Sequence, residues 1–151
     1  MRHAGKLTTM EAAMNAPAPT IGTLHREKSP EFTHALVMVW LVYLNDLLDL
    51  RKPMSEDQIE MCANEVVNEF YSLKMSDLAY LFRRIISGQY GEFYESLTIS
   101  KVLTFFREYF NERCRLAEQD AIRHHADFAS RDTFNYSQNL RRVWHGTSEK
   151  S

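Results

Sequence analysis

The sequence of 151 residues has few of the residues that make turns or cross-links. It contains five glycines, four prolines and two cysteines, Cys62 and Cys114. An all-β fold needs many turns and a disulfide-stabilised secreted domain needs several paired cysteines, so neither class is favoured. The longest apolar run, residues 35–44, is much shorter than the roughly 20 residues that span a membrane. No secretory signal pattern is present. We therefore expect a cytoplasmic protein with two reduced thiols and no membrane anchor.

An excess of basic charge is also missing. The net charge is -2, made up of +2 in residues 1–30, +2 in residues 131–151 and therefore -6 in residues 31–130. A dedicated nucleic-acid-binding domain usually carries a basic face. An acidic body with mildly basic ends leaves only a local patch or the ends of the chain for contacts with nucleic acid.

Recognisable catalytic motifs are absent as well. There is no glycine-rich phosphate loop, nucleophile elbow or zinc-finger spacing. Asp120 and His124 stand one helical turn apart and could bind a divalent metal, but a surface charge pair is favoured because no third ligand is suitably spaced. The sequence therefore predicts a protein that is not an enzyme and that needs no cofactor or metal.

Four helices are predicted from apolar residues spaced at i, i+3, i+4 and i+7. The first begins at Ser29-Pro30-Glu31, a serine cap followed by proline and an acidic residue, and runs to about Leu50. The second opens with a capping box, Ser55 with Gln58. The third runs from about Met75 to Ser87. The fourth is capped by Thr98 and reaches about Phe128. The fold expected is all-α, a single four-helix bundle-like domain over residues 29–130 with a long C-terminal helix.

Both ends of the chain are predicted to be flexible. Residues 1–28 hold few large apolar side chains and include the repeated pair Ala16-Pro17-Ala18-Pro19, which favours extended backbone. Residues 131–151 are polar. We expect a flexible leader over residues 1–28 and a flexible polar tail over residues 131–151.

The first helix is apolar on every side between residues 35 and 44. One stripe holds Val37, Trp40, Leu41, Leu44 and Leu48, and a second holds Leu36, Val39, Tyr43 and Leu47. A small helical body can hardly bury both stripes, and monomers seldom expose a large apolar patch. We predict that one stripe packs inward and that the other binds a protein partner, for which a second copy is the simplest candidate. The partner-binding residues predicted are Leu36, Val39, Trp40, Tyr43 and Leu47.

A glycine-bearing turn joins the third and fourth helices. Gly88 is a natural left-handed stop for the third helix, and the structural residues predicted in the turn are Gly88, Tyr90, Gly91 and Tyr94. The aromatic rings could stack on a base or a peptide, but packing on the core is favoured.

Three short motifs around this turn carry a family resemblance. They are Asp77-Leu78-x-x-Leu81-Phe82, Gly88-x-Tyr90-Gly91-x-x-Tyr94 and Tyr109-x-x-x-Arg113. Over about residues 55–115 the chain resembles small helical proteins of unknown function from gut Bacteroidetes, their phages and their mobile elements. The resemblance implies a phage or mobile-element context, with an accessory or regulatory role, and supplies no catalytic residue.

The residues and the resemblance together suggest two hypotheses for the function. The first is a non-enzymatic accessory protein of a phage or mobile genetic element that binds a protein partner through apolar helix surface. The alternative is a DNA-binding accessory or regulatory protein, for which the third and fourth helices offer Arg83, Arg84, Lys101 and Arg107.

Overall fold

The computed structural model describes residues 8–91 and 95–146, with side chains up to residue 142. The described residues form six helices and no strand, which confirms the all-α prediction. The helices are α1 (Met10–Asn15), α2 (Ile21–Glu27), α3 (Pro30–Leu47), α4 (Glu56–Glu69), α5 (Met75–Ile86) and α6 (Ile99–Gly146). The chain divides into two compact units, Met1–Arg113 and Cys114–Ser151. Helices α1 to α5 and the beginning of α6 belong to the first unit.

Three of these helices begin where their capping residues predict. The Ser29 hydroxyl accepts a hydrogen bond from the Phe32 amide at the start of α3. Ser55 and Gln58 form the predicted capping box of α4, each side chain accepting from the other residue's backbone N–H. The Thr98 hydroxyl accepts from the Lys101 amide at the start of α6. These local signals fix the helix starts because each satisfies backbone donors that have no partner inside the helix.

The prediction of a flexible leader is wrong for residues 8–28. Helices α1 and α2 pack against the turn between α4 and α5, where the Ile21 amide donates to the Leu73 carbonyl and the Met75 amide donates to the Pro19 carbonyl. The Ser76 hydroxyl donates to the Ala13 carbonyl at 2.7 Å. The buried residues of this segment are Met10, Ala13, Ile21 and Leu24. The segment is ordered by these long-range contacts, which composition does not reveal. Residues 1–7 lie outside the described part of the chain.

A substitution in α2 tests this correction. Ile21 is fully buried, so Ile21→Ala should lower the free energy of unfolding by about 2–5 kcal/mol, as buried large-to-small changes do. His25→Ala, an exposed position on the same helix, should change it by less than about 0.5 kcal/mol. Urea denaturation followed by circular dichroism measures both. If Ile21→Ala changed the free energy of unfolding as little as His25→Ala, the prediction of a flexible leader would stand.

The core of the first unit joins α3, α4, α5 and the start of α6 through aromatic side chains. The Phe106 ring lies 5.3 Å from Phe70 and 6.0 Å from Phe82, measured between ring centroids. Phe82 in turn meets Trp40 of α3 edge to face at 5.6 Å. These contacts place Trp40 between the core and the outer surface of α3.

Helix α6 extends further than predicted. It ends at Gly146 rather than near Phe128, and no proline or glycine lies between Ile99 and that residue. Residues 131–146 are therefore helical and not an unstructured tail, although the described side chains of that part, 131–142, are exposed as their polarity predicts. Residues 147–151 lie outside the described part.

Candidate protein-binding surface

The partner-binding residues predicted on α3 all reach the surface. Val39 is 58 % exposed, Tyr43 43 % and Leu47 46 %, while Leu36 and Trp40 are half-buried. Val37, Leu41 and Leu44 of the other stripe are fully buried. We call the group Leu36, Val39, Trp40, Tyr43 and Leu47 the α3 surface. The division between the stripes follows from helix periodicity, since residues three and four apart share a face.

A cavity of about 440 Å³ opens beside the α3 surface. Its lining comes from α3, α5 and the residue after α5: Trp40, Tyr43, Ala79, Phe82, Arg83, Ile86 and Ser87. Trp40 and Tyr43 meet edge to face at 6.3 Å and form one wall, and the exposed Ile86 lies on the α5 side. The cavity is mostly apolar and aromatic, which is the chemistry that accepts a large apolar side chain of a partner.

Arg84, one of the cationic residues predicted to contact DNA, is paired within the fold. The Arg84 guanidinium donates to the Glu112 carboxylate at 2.9 Å and to the Gln89 side-chain oxygen at 2.7 Å. It also lies over the Tyr80 and Tyr90 rings, at 5.7 and 5.2 Å from their centroids. Arg84 thus supports packing around the turn after α5, and its charge is offset locally.

Arg107 is held in a similar way. Its Nε and Nη2 donate to the two Glu69 carboxylate oxygens at 2.8 and 3.0 Å, and this hydrogen bonding lowers the pKa of Glu69. Lys101 donates to the Ser96 carbonyl, and Arg83 lines the α3–α5 cavity. Arg84 and Arg107, both predicted to contact DNA, are therefore paired with carboxylates.

Sequence reasoning missed a buried polar cluster at Asp77. Asp77 is fully buried and accepts hydrogen bonds from the Tyr109 hydroxyl at 2.7 Å, the Arg113 Nε at 3.1 Å and the Lys74 amide at 2.8 Å. Asp77 begins the first of the motifs that carry the family resemblance, and Tyr109 and Arg113 begin and end the third. The joint presence of Asp77, Tyr109 and Arg113 in those motifs was the available signal, and it indicates a structural role.

The turn after α5 has the predicted glycine geometry. Gly88 and Gly91 adopt φ of 82° and 101°, a region that residues with a Cβ rarely occupy. The Tyr90 ring packs 5.4 Å from Phe105, so it contributes to packing, and its hydroxyl is buried without a hydrogen-bond partner among the described residues. Tyr94 lies outside the described residues.

Alkaline pH should destabilise the fold. Burial raises the pKa of Cys62 from 9.0 to about 12 and that of Tyr90 from 10.0 to about 12, and burial beside Asp77 raises the pKa of Tyr109. The unfolded chain then loses these protons at lower pH than the folded chain, so stability is full below about pH 9 and falls as pH rises toward the folded pKa values.

Urea midpoints measured at pH 8 and at pH 11 test this expectation. The wild-type midpoint should be lower at pH 11. The difference should shrink in Tyr109→Phe, which has no phenolic proton at that position. A midpoint that stays constant between the two pH values would contradict the raised pKa values.

The sequence also allows a divalent metal to bind at Asp120 and His124, although a surface charge pair is favoured there. The Asp120 carboxylate accepts from Arg123 at 2.8 Å. Within the described residues no three His, Cys, Asp or Glu side chains are grouped so that they could hold a metal ion. In the same part of the chain, no helix combines the length and apolarity needed to cross a membrane.

Comparisons with protein-family models, with curated proteins and with solved structures find no match to this chain.

Proposed function

We propose that this protein is a non-enzymatic interaction protein that binds a protein partner through the α3 surface and the adjoining cavity. The observation that carries the proposal is the exposure of Val39, Tyr43 and Leu47 in one line on α3. This surface continues into a cavity with a Trp40 and Tyr43 wall. Aromatic residues around a concave apolar site are the usual centre of a protein interface.

The partner that fits this surface is an amphipathic helix. Such a helix would present apolar side chains at i, i+3 and i+7 along the α3 surface and place one of them in the cavity. Binding would shield the apolar stripe without any change in the core, since Val37, Leu41 and Leu44 already face inward. The resemblance over residues 55–115 supports an accessory role in phage or mobile-element biology as the setting of this interaction.

Affinity capture from cells of the source organism tests the proposal with matched variants. Val39→Glu and Leu47→Glu place a charge on the α3 surface, and Tyr71→Glu places the same charge on an exposed apolar residue between α4 and α5. A protein that binds at the α3 surface should be retained by wild type and by Tyr71→Glu and lost from both α3 variants. Equal capture by all four proteins would contradict the proposal, provided that their urea midpoints agree.

The DNA-binding alternative rests on Arg83, Arg84, Lys101 and Arg107 and on the basic ends of the chain. Pairing of Arg84 with Glu112 and of Arg107 with Glu69 weakens it. Electrostatic binding to DNA weakens steeply with salt, so gel shifts on several duplexes at low and moderate salt test it. Absence of a shift at low salt would exclude this alternative.

A further inference from the structure

The second unit of the chain carries an exposed apolar stripe that the α3 surface does not involve. From Ala121 to Arg142 every described side chain is exposed, including Ile122 at 68 %, Tyr136 at 68 % and Leu140 at 43 %. A helix without a buried face gains little stability from its own hydrogen bonds, because most helical stability in proteins comes from packing. This part of α6 therefore has apolar surface to bury.

The residues of this stripe recur with alternating spacings of four and three. They are Ile122, Ala126, Ala129, Thr133, Tyr136 and Leu140. At 3.6 residues per turn all six fall within an arc of about 80°. A stripe this narrow, sustained over nearly three heptads, is typical of the seam of a two-stranded coiled coil rather than of the broader face by which a helix packs on a globular core. We call these six residues the α6 seam.

The short hydroxyl side chain in the α6 seam, that of Thr133, already has a hydrogen-bond partner. The Thr133 hydroxyl donates to the Ala129 carbonyl of its own helix at 2.8 Å. It can therefore be buried without losing a hydrogen bond, so it adds no desolvation cost of the kind that an unpaired buried hydroxyl carries. Ala126 and Ala129 let two helices approach closely at the middle of the seam.

The charges beside the seam complement those of an identical helix. In a parallel, in-register pair, the residue before every second seam position (Ala126, Thr133 and Leu140) faces the residue five places later on the other helix. The same register continues back one heptad to Gln119. Glu118, which precedes Gln119, then faces Arg123 of the second copy, twice by symmetry. Arg123 also donates to the Asp120 carboxylate of its own helix at 2.8 Å, so Glu118 would share this guanidinium with Asp120. The next two pairs are His125 with Ser130 and Asp132 with Ser137. One attractive pair and no like-charge pair result.

We propose that the second unit self-associates as a parallel two-stranded coiled coil through the α6 seam, with a second copy of this chain as the partner. The dimer would leave the α3 surface of each copy for a different protein. Two copies of that surface held together would raise the avidity for a partner that is itself multivalent.

Sedimentation equilibrium of the full chain over a micromolar concentration series tests this proposal. Wild type should approach twice the chain mass of 17.7 kDa. Ile122→Asp and Leu140→Asp should each raise the dimer dissociation constant by about tenfold or more. Phe134→Asp removes an equally exposed apolar residue that lies outside the α6 seam, and it should leave the dimer intact. Val39→Glu should leave it intact too.

Charge exchange tests the parallel register. Glu118→Arg and Arg123→Glu should each dimerise more weakly than wild type, because each places like charges opposite one another. An equimolar mixture of the two variants should recover the dimer, because every facing pair is then attractive. A wild-type monomer throughout the series, a dimer that survives Leu140→Asp but not Val39→Glu, or a mixture that fails to recover would overturn the proposal.

Discussion

Replacement of Asp77 by alanine should lower the free energy of unfolding by about 3–5 kcal/mol, the cost of breaking a buried ion pair by removing one partner. The carboxylate is fully buried and holds three donors, from Lys74, Tyr109 and Arg113. Its loss leaves a largely buried guanidinium, a buried hydroxyl and a backbone amide without their acceptor. Tyr109→Phe removes one donor only and should cost about 1–3 kcal/mol.

A matched control for Asp77 exists on the surface of the second unit. Asp120 also pairs with an arginine, Arg123, but this pair is solvent-accessible. Asp120→Ala should therefore change stability by less than about 1 kcal/mol. Urea or thermal denaturation of the three variants gives the comparison. If Asp77→Ala cost no more than Asp120→Ala, burial of the Asp77 cluster would not stabilise the fold.

Phe106→Ala should be comparably severe, at about 3–5 kcal/mol, because Phe106 is fully buried. Its ring contacts both Phe70 and Phe82, so truncation opens a cavity at the meeting point of α4, α5 and α6. Phe82→Ala should also be costly, and it should in addition move Trp40, which packs against it.

Phe134→Ala provides the control, since the same ring is exposed in the second unit. It should change stability by less than about 0.5 kcal/mol. In a Trp144→Phe background, where Trp40 is the sole tryptophan of the sequence, fluorescence follows the Phe82→Ala effect separately from global unfolding. Equal costs for Phe106→Ala and Phe134→Ala would mean that the aromatic contacts of the first unit do not form its core.

The helices could be predicted where their signals are local. The Ser29 cap, the Ser55–Gln58 capping box and the Gly88 stop involve residues within four positions of each other, and the structure contains all three. The inward stripe of α3 was also predictable, because its spacing depends only on helix geometry. Helix α6 is longer than its apolar pattern predicts because no helix breaker is present before Gly146, so the polar part of the sequence continues the helix.

The features that sequence patterns do not predict depend on contacts between residues far apart in the sequence. Helices α1 and α2 are held by hydrogen bonds from Ile21 to Leu73 and from Ser76 to Ala13, and no local pattern predicts which distant carbonyl is available. Asp77 is joined to Tyr109 and Arg113, which lie 32 and 36 residues later in the sequence. The cavity next to the α3 surface arises in the same way, from the packing of α5 against α3.

The central claim is that the α3 surface binds a protein, and site-specific photocrosslinking tests it most directly. A photoreactive phenylalanine derivative at position 43 stands on the α3 surface, and one at position 71 stands on exposed surface elsewhere. After irradiation in cells of the source organism, we expect a discrete crosslinked protein from position 43, identified by mass spectrometry, that is absent from position 71 and is lost when Val39→Glu is added. No crosslink from position 43, or the same crosslinks from both positions, would contradict the account.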